Sequence, residues 1–67
     1  MSAYWEEIDT GKAAIDVSRN PESATVDLRF SLPDAEPVEA ELTTTQTAEL
    51  VAALLTARQL IVKEGLR

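Results

Sequence analysis

Sixty-seven residues carrying a net charge of −6, with neither cysteine nor histidine, form a single domain, 1–67, whose core is thin, because a chain this short buries only roughly 60% of the surface of its unfolded form. The missing cysteine and histidine exclude thiol and imidazole catalysis and structural zinc, and the excess of acid over base repels phosphate backbones and anionic lipid, so neither direct nucleic-acid binding nor membrane binding is expected. With no disulfide or metal to reinforce so small a fold, self-association is the remedy left, and a homo-oligomer, foremost a dimer, is expected.

Residues 1–12 open the chain. Tyr4 to Ile8 followed by Asp9-Thr10-Gly11-Lys12 reads as an edge strand and turn, with a loose helical turn as the alternative. The first residues lack the basic start and apolar run of a secretory signal, so a cytoplasmic location is expected. From Ala13 to Ser18, Ala13, Ile15 and Val17 alternate with Ala14, Asp16 and Ser18 at the period that sends them to opposite faces of a strand. Asn20-Pro21-Glu22-Ser23 supplies turn chemistry. The clearest strand follows, in which Val26, Leu28, Phe30 and Leu32 alternate with Asp27, Arg29 and Ser31. Pro33-Asp34-Ala35-Glu36-Pro37 is expected to break it, since proline donates no ladder hydrogen bond. Val38, Ala40 and Leu42 then alternate with Glu39, Glu41 and Thr43. Short connections favour antiparallel neighbours, so 13–43 reads as a β-meander.

Thr43 is a good N-cap, and Gln46 three residues on completes a capping box. A helix is predicted over 44–64, with Arg58 and Lys63 towards its negative end and Gly65 as the stop. The fold class is therefore α+β: a three- or four-stranded antiparallel meander with one C-terminal α-helix packed on one face. At 100° per residue, Ala57, Leu50, Ile61, Leu54, Val51, Val62, Leu55 and Ala48 sweep about half the helix circumference, against the stripe of roughly 100° that a surface helix needs. A small sheet would leave part of that arc open. The helix, at about 30 Å, also outruns strands little over 20 Å long, so its last turns should overhang. Arg58 inside the arc, Leu60 on the far side and Ile61 are the candidate self-association residues. The alternative is that the first strand covers the extra arc, Arg58 reaches water and Leu60 is simply exposed.

Glu6-Glu7, or Glu39 with Glu41, could pair as acid and base, and Asp34 with Glu36 could face a hard cation. A solvated acidic surface and a rigid proline-bounded turn are the readings favoured for them. No catalytic residue, metal or cofactor is expected, and the chain reads as non-enzymatic. Between Arg29 and Arg58 there is no Lys or Arg, while Asp34, Glu36, Glu39, Glu41 and Glu49 fall there, making an acidic pole. The strand parities put Asp16, Asp27, Glu39 and Glu41 on one outward face with Arg29 the only base among them. That face is either a solvated surface or a dock for a basic partner protein, with carboxylates standing where a nucleic-acid-binding protein expects phosphates. Tyr4 and Trp5, adjacent in an extended segment, cannot both face one core. Closing the open end of the core is the first role expected of them and anchoring a partner the second.

Val38-Glu39-Ala40-Glu41-Leu42-Thr43 followed by Ala48-Glu49-Leu50-Val51-Ala52-Ala53-Leu54-Leu55 resembles the ending of many small actinobacterial and actinophage proteins, which have a strand, a threonine cap and an alanine-leucine helix. The resemblance covers less than half the chain and implies a bacterial or phage source, with no function attached. The expected role is a small acidic protein-interaction module or inhibitor. A self-assembling structural subunit and a minimal carboxylate ligand binder or enzyme are the alternatives.

Overall fold

A computed structural model describes residues 3–65; residues 1–2 and 66–67, the ends of the expected domain, lie outside the described residues. The chain forms strands β1 (Tyr4–Asp9), β2 (Ala14–Arg19), β3 (Val26–Leu32) and β4 (Ala35–Leu42), then one helix, α1 (Thr44–Lys63). The strands make one antiparallel sheet in the order β1-β2-β3-β4. The architecture is thus the α+β meander and C-terminal helix predicted, with four strands, and the strand reading of the first segment holds over its helical alternative.

Each connection rests on local polar chemistry. In the first, the Gly11 amide donates to Asp9 Oδ1 (2.7 Å) and Gly11 takes φ 89°, a left-handed conformation that costs glycine nothing. In the second, the Glu22 amide donates to Asn20 Oδ1 (2.9 Å), the turn that Asn-Pro announces. The third differs from expectation. Pro33-Asp34 alone turns the chain, and β4 begins at Ala35 and runs through Pro37. Phe30 pairs with Val38 and Leu32 with Ala35, so Ser31 stands opposite both Glu36 and Pro37. This is a β-bulge on an edge strand, the setting in which a residue without an N–H is tolerated.

The helix begins as predicted. Thr43 is extended at φ −68° and ψ 169°, its hydroxyl accepts from the Gln46 amide (3.1 Å), and the Gln46 side chain accepts from the Thr43 amide (3.0 Å). The Thr47 hydroxyl adds a bond to the Thr43 carbonyl (2.8 Å). At the other end Glu64 is the cap, and Gly65, at φ 78°, donates its amide to the Val62 carbonyl (3.1 Å). Among the described residues no helix is long and apolar enough to cross a membrane.

The helix meets the sheet at β4. Thr47 and Leu50, both in its first two turns, are the most shielded of the helical residues, and none is buried. Exposure is therefore far wider than the overhang of the last turns expected from lengths alone. Leu28, at 9%, is the one buried hydrophobic among the described residues, while Val38, Leu54 and Val62 exceed 60%. The first strand does not cover the extra arc, because β1 lies at the edge of the sheet opposite β4.

With the Thr43 hydroxyl supplying one half of the capping box, α1 should be sensitive to that residue. Thr43→Ala is expected to cost about 1 kcal/mol, read as a lower unfolding midpoint by circular dichroism. An unchanged midpoint would mean that the capping box contributes nothing.

Candidate acidic sheet face

Residues paired directly across antiparallel strands point to the same side of the sheet. The registers Trp5↔Ser18↔Asp27↔Glu41, Glu7↔Asp16↔Arg29↔Glu39 and Asp9↔Ala14↔Ser31 define one face. The registers Glu6↔Val17↔Leu28↔Ala40 and Ile8↔Ile15↔Phe30↔Val38, with Val26↔Leu42, define the other. The sheet thus sorts most of the chain by chemistry: of the paired residues, the carboxylates other than Glu6 lie on one side, and the aliphatic and aromatic side chains other than Trp5 and Ala14 on the other.

The four predicted carboxylates, Asp16, Asp27, Glu39 and Glu41, do share the first face, and Arg29 stands among them. Its Nε lies 3.9 Å from Glu39 Oε2, a loose exposed pair of the kind worth 1 kcal/mol at most. Glu7 and Asp9 join the same face. The sequence did not reveal them, because the parity of β1 relative to β2 depends on the length of the Asp9–Lys12 turn. Trp5 stands at the corner of this face and is 64% exposed. It lines, with the four carboxylates and Arg29, a shallow open groove of about 590 Å³. Tyr4 projects to the opposite face, beside Arg19 in register. Neither ring closes a core, contrary to the first role expected of them. The strand does separate the two as predicted, and there is no covered core end for either to enter.

Asp16 differs from its neighbours. Its Oδ1 is shielded from solvent yet accepts no hydrogen bond, because the cross-strand Arg29 turns its guanidinium towards Glu39. The alternatives for the other acids separate sharply. Glu6 and Glu7 fall on opposite faces, so they cannot work as an acid–base pair. Asp34 lies in the tight turn and Glu36 in the bulge, and no group of three or more metal-ligating side chains comes together among the described residues. Arg58, Leu60 and Ile61 are all exposed along α1, so among the described residues none buries the candidate self-association surface.

Tyr4 is the sole tyrosine, and its hydroxyl donates to Glu6 Oε1 (3.1 Å). That bond to a carboxylate favours the neutral phenol, and the negative charge opposes a second one, so the Tyr4 pKa is raised above its ordinary value. In an alkaline ultraviolet titration, Glu6→Ala is expected to bring the tyrosine midpoint down; an unmoved midpoint would remove the Tyr4–Glu6 bond from the solution structure. Asp16→Asn is expected to leave stability unchanged or raise it by about 0.5 kcal/mol, since it sheds like-charge repulsion and breaks no hydrogen bond. A clear drop in the thermal midpoint would show that Asp16 has a partner.

Comparison of the chain with protein-family models, with curated proteins and with solved structures finds no match.

Proposed function

We propose that this chain is a non-enzymatic protein-interaction module of the inhibitor type, which associates with itself through its apolar surfaces and binds a basic partner protein with its carboxylate face. The observation that carries the reading is the sorting of side chains by the sheet. Six carboxylates, Glu7, Asp9, Asp16, Asp27, Glu39 and Glu41, share one face with a single arginine. Such a face steers a positively charged partner towards it and repels acidic ones. Trp5 at the corner offers the large amphipathic ring that interfaces favour.

The structural-subunit reading draws on the unpaired edges of β1 and β4. Both edges carry features that discourage further pairing: Glu6, Glu7 and Asp9 on β1, and the Pro37 bulge on β4. Association through the faces, closing into a small oligomer, suits this chain better than open growth along the sheet.

Two outcomes decide between these roles. Immobilised protein exposed to a lysate of its source cells is expected to retain one protein in fixed stoichiometry, and the triple variant Asp27→Asn/Glu39→Gln/Glu41→Gln is expected to lose it. The association rate with that protein should fall about tenfold or more as salt rises from about 0.05 M to about 0.5 M. Retention by the triple variant, or a rate indifferent to salt, would overturn the acidic-face reading. Growth of the purified chain into ever larger species without a partner would instead favour the structural subunit.

A further inference from the structure

Two apolar surfaces in this chain face solvent at once. One is the side of the sheet on which Ile8, Phe30 and Val38 are exposed and Ile15 and Val17 half-buried, around the buried Leu28. The other is the half-circumference of α1 through Val51, Leu54, Leu55, Ile61 and Val62. Each is a suitable cover for the other, but the chain does not bring them together. The reason lies at the junction. β4 ends at Leu42 and α1 starts at Thr44, so Thr43 alone links them. Doubling back to lie over the sheet would require the helix to climb roughly 10 Å, the separation at which layers of secondary structure stack, and connections of that kind take about 2–6 residues. Thr43 cannot supply the reach. Its side chain, amide and carbonyl are all engaged in the cap, so lengthening the link by unwinding the first turn would break those bonds.

The areas agree. The chain exposes 5710 Å², whereas a folded monomer of this mass exposes about 4,200 Å². Two such chains condensed into one globule would bury about 4,500 Å² in total, within the range of obligate dimers. The radius of gyration is 14.0 Å, against about 11 Å for a globule of this length and about 14 Å for one of twice the length. Each chain is therefore as extended as a compact dimer would be, as expected where two chains interlock. A helix of 20 residues, about 30 Å long, also suits the diagonal of a four-stranded sheet whose strands run about 20–27 Å.

We infer that two copies exchange helices: the apolar arc of α1 from each copy lies on the apolar sheet face of the other, with Leu54 at the middle of the helix over Phe30 at the middle of the sheet. This rests on the self-association reading above and specifies its geometry. Arg58, within the arc, then approaches the partner's sheet, where Glu6 is the carboxylate on that face. Both acidic faces point outward.

The chain has no cysteine, so disulfide trapping reads the geometry directly. Wild-type protein is expected to sediment at twice the chain mass, and Leu54→Glu to weaken that dimer roughly thirtyfold or more. A mixture of Leu54→Cys chains and Phe30→Cys chains, oxidised gently, is expected to give the mixed disulfide as the main covalent dimer. Isotope-filtered NOEs between labelled and unlabelled wild-type chains, from Leu54 methyls to the Phe30 ring, give the same answer with no substitution. A dimer that forms only Leu54–Leu54 disulfides and shows no such NOEs would overturn helix exchange while leaving self-association standing. A wild-type monomer at every concentration, with a chain carrying both Phe30→Cys and Leu54→Cys closing its disulfide internally, would overturn both.

Discussion

Thr43 is the whole of the chain between the last strand and the helix, and the disposition of everything apolar follows from it. A residue in that position has two tasks: to end a ladder and to start a helix. Here its hydroxyl, its amide and its carbonyl are all committed to the second. The helix therefore leaves β4 in a fixed direction, and the 100° step of the α-helix then fixes where each of its apolar side chains points. The arc of Val51, Leu54, Leu55 and Val62 cannot be rotated onto the chain's own sheet without undoing the cap. A longer, looser link would have allowed a compact monomer. The single-residue link instead separates two surfaces that need each other, which is the condition under which identical chains exchange elements.

The sheet adds the second constraint. Three short connections give uninterrupted antiparallel registers through the body of the meander, and register decides face. Because the pairings of β1, β2, β3 and β4 run through Glu7, Asp16, Arg29 and Glu39 in one row and through Glu6, Val17, Leu28 and Ala40 in the next, the registers set by the short turns largely sort charge from grease. The edges close off the remaining option. A proline in the bulge of β4 and acids on β1 discourage edge-to-edge growth, so the apolar side of the sheet is the part of it left to associate. Association through a face can be satisfied by one partner, whereas association through an edge exposes a new edge each time.

Much of this was legible in the residues. Period-two alternation in Ile15–Val17 and in Val26–Leu32 placed the strands and sorted their faces correctly, and Thr43 with Gln46 marked the helix start to the residue. Other features were hidden for identifiable reasons. Pro37 reads as a strand breaker, and only the two-against-one pairing at Ser31 shows how a bulge admits it. Glu7 and Asp9 could not be assigned to the acidic face before the first turn was known, since one residue more or less would flip the whole of β1. The wide apolar arc of the helix was visible, but the extent of its exposure was not. Helical periodicity says which side chains want cover. What can cover them depends on the reach of the connection.

In the proposed dimer, folding, association and partner binding become one coupled process. With so little buried in the single chain, the apolar surfaces provide stability only when two copies meet, so stability depends on concentration. The outward faces work in the opposite sense. Carboxylates on neighbouring strands, opposed by one arginine in a loose pair with Glu39, repel each other, and a shielded Asp16 oxygen without a donor adds to the cost. A basic surface laid on that face would relieve the repulsion, and a ligand that binds only the folded dimer stabilises it further. Because exchange turns the two acidic faces away from each other, each can be occupied without obstructing the other. A dimer of this kind therefore takes up two partner molecules, or two sites on one larger partner, and the second arrangement gains affinity from the link between its sites rather than from any additional contact.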